Sequence, residues 1–192
     1  MRSCTGGASP SGRQEENPLS FLERLFGKSR QSSRLQPLYR SIVATGRDPV
    51  WYRDGSVPDS VDGRFDMIAT ILSLVLIRLE QGGEAARADA ALLTELFIAD
   101  MDGNIRQMGT GDLMVGKNIG KMMGALGGRI GTMRGALDSG EGLEGPVSRN
   151  IFHDAPPSDA AVSFIAARLE RFHNALGERP VEAVIAGDLP AL

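Results

Sequence analysis

The stretch from Met67 to Leu79 is apolar except for Thr70, Ser73 and Arg78, and it is 13 residues long. A bilayer-spanning helix needs roughly 20 apolar residues, so this run is too short to cross a membrane. Coiled as a helix, it carries Phe65, Ile68, Leu72, Val75 and Leu79 on one side, while Met67, Ile71, Leu74 and Ile77 partly fill the other. A helix that is apolar on most sides must be surrounded. The chain is therefore expected to build other helices around it.

The flanking sequence supplies them. Before the central helix, Val57-Pro58-Asp59-Ser60 forms a start signal in which Asp59 can cap free backbone N–H groups and Asp62 puts an acid in the positive first turn. Residues 34–46 make a helix ended by Gly46, with Pro49 as a stop and Trp51-Tyr52 as an extended or loop stretch. Gly82-Gly83 breaks the central helix, and residues 84–108 resume with Leu93, Leu96, Phe97, Met101, Ile105 and Met108 at three- and four-residue steps. After a turn at Gly109-Thr110-Gly111, a long helix runs from Asp112 to about Leu137. Gly140 to Pro146 is expected to be a loop. Residues 157–177 form an amphipathic helix through Val162, Ile165, Leu169, Phe172 and Leu176, and a short helix follows Pro180. No segment alternates as a strand does. The expected fold is all-α, a single compact multi-helix domain over residues 31–192 with a flexible N-terminal leader, and this length suffices for one sizeable core.

Residues 1–17 are polar and rich in Gly and Ser, too poor in apolar surface to offset their ordering entropy, and are expected to form a disordered leader without the apolar run of a secretory signal. Residues 18–30 read as a short amphipathic helix, with Phe21, Leu22, Leu25 and Phe26 on one face and Lys28 and Arg30 on its basic flank. Two uses are open for it: an arm docked on the protein's own core, or a reversible contact with an anionic membrane. Residues 1–40 hold seven Lys or Arg against three Glu, whereas residues 138–192 hold nine acids against four Arg. With a net charge of −3, the chain does not read as a sequence-specific nucleic-acid binder.

Catalytic patterns are missing from the text. Gly111 to Lys117 matches the first part of a phosphate-binding loop, but position 118 is Asn rather than Ser or Thr and no strand precedes it. Cys4 is the single cysteine, and His153 and His173 have no carboxylate or thiol at ligand spacing, so neither a metal nor another cofactor is expected. Asp100 and Asp102 diverge by about 200° on a helix and cannot act as a pair; Asp102 with Arg106 can pair along it.

The fifth helix is the most unusual element. Gly116, Gly120, Gly124, Gly127, Gly128, Gly131 and Gly135 fall within one sector of about 120°, although each glycine costs about 1 kcal/mol against alanine in a helix. The neighbouring sector holds Val115, Ile119, Met122, Met123, Leu126, Ile130, Met133 and Leu137, the expected core face. The only charges between Asp112 and Asp138 are Lys117, Lys121, Arg129 and Arg134. A bare stripe lets another backbone approach closely, and it serves either as an internal seam or as a surface for a partner helix.

Several strings together resemble the ubiquinol-cytochrome c chaperone family: Tyr39 with Ile42-Val43, Val57-Pro58-Asp59-Ser60 leading to Asp62-Gly63-Arg64-Phe65-Asp66, and Asp100-Met101-Asp102 followed by Arg106-Gln107-Met108-Gly109-Thr110-Gly111-Asp112 and Val115-Gly116-Lys117. Gln107, Thr110 and the extra glycines depart from the family's usual pattern. The resemblance implies an all-helical, non-enzymatic chaperone that binds newly made cytochrome b, or another bc1 complex subunit, and promotes assembly of that complex. It also implies a small co-chaperone and the ribosome as further partners in mitochondria. A place on the cytoplasmic face of a bacterial inner membrane is expected, or on the matrix side in a eukaryote. The alternative is a peripheral membrane- or ribosome-binding adaptor. Arg64, Asp66, Asp102, Arg106 and Asp112 are expected to converge on one polar partner-binding surface, joined by Lys117, Gly120 and Gly124.

Overall fold

The computed structural model describes residues 33–107 and 115–192, without the side chains of residues 102, 104–107 and 115–119. The expectations for residues 1–17 and 18–30 lie outside the described residues. All regular structure among the described residues is helical.

The helices are α1 (residues 33–46), α2 (Pro49–Arg53), α3 (Val61–Glu80), α4 (Gly83–Gln107), α5 (Val115–Ser139), α6 (Glu144–Ile151), α7 (Asp159–Glu178) and α8 (Val181–Ile185). Helix α3 is the hub. It touches α4, α5, α6, α7 and α8, and from Asp66 to Ile77 every residue is buried. The central apolar run thus sits where its sequence requires. Its buried hydroxyls are satisfied, because that of Ser73 donates to the Ala69 carbonyl at 2.7 Å and that of Thr70 accepts from Arg129 of α5.

Helix starts follow capping chemistry, with one correction. Ser60, not Asp59, caps α3, its hydroxyl accepting from the Gly63 N–H at 3.1 Å; Asp59 instead takes the guanidinium of Arg64. Ser158 caps α7 in the same way. At the far end of α7, Arg78 donates to the carbonyls of Leu176 and Arg179 at 3.0 and 2.8 Å, satisfying orphan acceptors of the last turn.

Trp51 and Tyr52 are helical rather than extended, which is a second correction. Asp48 caps α2 and Pro49 occupies its first turn, a position where proline's fixed φ and missing N–H are assets. The indole N–H of Trp51 donates to the Thr45 carbonyl at 2.8 Å and the Tyr52 hydroxyl to the Gly46 carbonyl at 2.7 Å. These two aromatics cap the C-terminal end of α1. Gly46 is needed there, since a Cβ would lie 2.8 Å from the Ile68 Cα and the helices could not cross so closely. Helix α1 is also tied to α4 by Arg34 with Asp89 and by the Tyr39 hydroxyl to Asp100 at 2.8 Å; burial, then the Asp100 bond and charge, push the Tyr39 pKa upward.

Residues expected as a loop before Pro146 partly form α6. Pro146 lies in its first turns with Val147 and Ile151 buried, and Glu170 of α7 accepts the Leu143 N–H at 2.8 Å.

Candidate partner-binding surface

Helix α5 has one face in the core and one in solvent. Met122, Leu126, Arg129, Met133 and Ala136 are buried against the bundle. Met123, grouped with the core face on sequence grounds, is instead 46% exposed. The buried face is thus centred about 50° away from the expected one, at 100° per residue. The reason is Arg129, which lies in the middle of that face although hydropathy alone would place it outside.

Arg129 reaches α3. Its guanidinium donates to the Asp66 carboxylate at 2.7 Å, to the Asp66 carbonyl at 2.7 Å and to the Thr70 hydroxyl at 2.8 Å. Both charged side chains are 6% exposed. Burial pulls the Arg129 pKa downward while the Asp66 charge and hydrogen bond oppose it. The other carboxylate oxygen of Asp66 faces the His153 Nε2 at 3.0 Å, so His153 does have a carboxylate neighbour, one that is 87 residues away in the chain and invisible to spacing arguments. This cluster joins α3, α5 and the turn after α6, where His153 and Asp154 have positive φ. By sequence Arg129 is one of four charges on this helix, about 20° outside its apolar sector, and nothing in the spacing marks it as buried.

On the outer side of α5, Gly120, Gly124, Gly127, Gly128, Gly131 and Gly135 are exposed. Beyond the helix's own backbone, no described atom lies within 4 Å of where a Cβ on any of them would sit. Among the described residues the stripe is therefore not an internal seam. It forms a shallow, side-chain-free track roughly 24 Å long, taking 1.5 Å per residue. Lys121 and Met123 are exposed beside it.

The expected site residues separate into three groups. Gly120 and Gly124 lie on the open track. Arg64 is exposed and pairs with Asp59 at 2.7 Å, whereas Asp66, two residues further on, turns inward to Arg129; an i, i+2 pair on a helix diverges by about 200° and cannot share a surface. The side chains of Asp102, Arg106 and Lys117, the whole of Asp112, and Phe21, Leu22, Leu25, Phe26, Lys28 and Arg30 lie outside the described residues. No group of three or more potential ligands that could hold a metal occurs among the described residues.

The sequence matches the model of the ubiquinol-cytochrome C chaperone family over residues 53–190. The chain belongs to this family. Its fold is similar to that in the crystal structure of the Cbp3 homolog from Brucella abortus, with 28% identity and a TM-score of 0.75, covering 90% of this chain and 96% of that one. Comparison with curated proteins gave no match. The ubiquinol-cytochrome C chaperone match begins in α2 and ends after α8, so it includes the Asp66–Arg129 link and the glycine track. Membership supports a general role in assembling the bc1 complex, as the resemblance implied, and suggests an assembly factor rather than an enzyme.

Proposed function

We propose that this chaperone holds newly made cytochrome b, or another bc1 complex subunit, on the glycine track of α5 until the subunit enters the complex. The observation that carries this reading is that no described residue lies over Gly120 to Gly135, on a helix whose opposite face is already packed. Small-residue surfaces let a helix backbone approach closely, and such contacts between helices do not depend on excluding water from large side chains. A client with membrane helices not yet paired would offer the complementary surface. Arg64, exposed on α3, would add a polar contact.

The protein works without catalytic chemistry in this reading, peripherally at the cytoplasmic face of a bacterial inner membrane. No helix among the described residues is long and apolar enough to cross a bilayer. Affinity capture of the tagged, full-length protein from membranes that are synthesising the bc1 complex tests the client. Cytochrome b is expected among the retained proteins at well above its level in a mock capture. Recovery of ribosomal proteins or lipid alone, without any bc1 subunit, would favour the adaptor alternative instead.

A further inference from the structure

We propose that the corner where α1, α2 and the start of α3 meet is a binding site for phosphate groups, used to seat the protein on anionic phospholipid. The inference does not rest on the client reading. Arg47, Pro49, Tyr52, Arg53, Asp59 and Arg64 line an open cavity of about 530 Å³ there. Its lining carries three guanidiniums and the Asp59 carboxylate, with Asp54, bonded to Arg53, and Asp48 beside it.

The arginines keep donors to spare. Arg53 spends its Nε and one Nη on Asp54, at 2.7 and 2.6 Å, and Arg64 spends its Nε on Asp59 at 2.7 Å. Each guanidinium has five N–H donors in a fixed fork, so those carboxylates fix one edge and leave the rest of the fork unspent. Arg47 is exposed and makes no side-chain hydrogen bond or ion pair among the described residues. Burial raises the Tyr52 pKa and the Asp59 charge adds to the rise, while Arg64 and Arg47 oppose it. The cavity floor is rigid, because Tyr52 is bonded to the Gly46 carbonyl and Pro49 begins α2.

A second observation selects a lipid surface over a nucleic acid. Val61, next to this corner at the first position of α3, is 66% exposed, the most exposed large hydrophobic side chain among the described residues. Pro58 is exposed as well. Guanidiniums with an adjacent apolar tip match a headgroup layer above acyl chains, and the aromatic in the lining, Tyr52, is half-buried with its hydroxyl bonded to the Gly46 carbonyl.

Two arms of one experiment test the site with the full-length protein and an Arg47→Gln/Arg53→Gln variant, both exposed positions whose change should leave the melting temperature as it is. In the first, sedimentation is measured with phosphatidylcholine vesicles with and without phosphatidylglycerol. Binding is expected only with the anionic lipid, and about thirtyfold weaker in the variant. In the second, inorganic phosphate is compared with chloride at equal ionic strength, and phosphate is expected to raise the melting temperature of the wild type but not of the variant. A phosphate effect without vesicle binding would keep the site and assign it a soluble phosphate compound. Equal vesicle binding by both proteins with no phosphate effect would overturn the proposal, as would retention on RNA with neither.

Discussion

Replacing Asp66 with alanine is expected to destabilise the fold by about 3 to 5 kcal/mol, the usual cost of leaving one member of a buried ion pair without its partner. Arg129 is held almost wholly inside the bundle, and an arginine side chain keeps its proton in proteins, so its charge would stay buried without a partner. Native domains have only about 5 to 15 kcal/mol in hand, so the variant should be partly unfolded or strongly temperature-sensitive. Chemical denaturation followed by circular dichroism measures this. The paired change Asp66→Leu with Arg129→Met should recover most of the loss, because removing both charges also removes both desolvation penalties. Thr70 then returns its hydroxyl to the Asp66-position carbonyl, a bond that threonine makes readily within a helix. Similar stability of the single and paired variants would mean that the ion pair does not hold α5 against α3.

Trp51→Ala should be comparably costly, about 3 to 5 kcal/mol, the range for deleting a large buried aromatic. Trp51 is 0% exposed and belongs to the main core. Its loss opens a cavity and also leaves the Thr45 carbonyl at the end of α1 without its indole donor. Trp51→Phe separates the two effects, since it restores most of the volume but not the hydrogen bond. It should cost about 1 kcal/mol from the lost bond, with some further packing loss. Denaturant midpoints of the two variants provide the check. Equal midpoints would show that the indole N–H, not its bulk, fixes α1.

How far the sequence could be read depended on whether the deciding partners were near in the chain. Helix α3 was legible because its own apolar run dictates burial on all sides, and the glycine stripe was legible because it is a periodicity within one segment. Trp51 and Tyr52 depart from the expected extended stretch because Pro49, a stop signal after one helix, equally favours the first turn of the next. Arg129 could not be placed, since Asp66 and Thr70 lie 63 and 59 residues away and an arginine scores as polar wherever it stands. His153 was assigned no carboxylate for the same reason. Whether the stripe was a seam or a surface also lay beyond the sequence, because that depends on which elements pack around α5.

The most direct measurement of the client-binding account is cytochrome b retention by a Gly120→Leu/Gly124→Leu variant, read beside its thermal melt. Nothing described lies within 4 Å of a Cβ at either position, so leucine has room, and each change should add up to about 0.8 kcal/mol of intrinsic helix stability. The account predicts a melting temperature equal to or above that of the wild type, together with loss of most cytochrome b from the captured material, because leucine side chains would hold a partner backbone away from the track. A variant that melts like the wild type and retains cytochrome b undiminished would contradict the account.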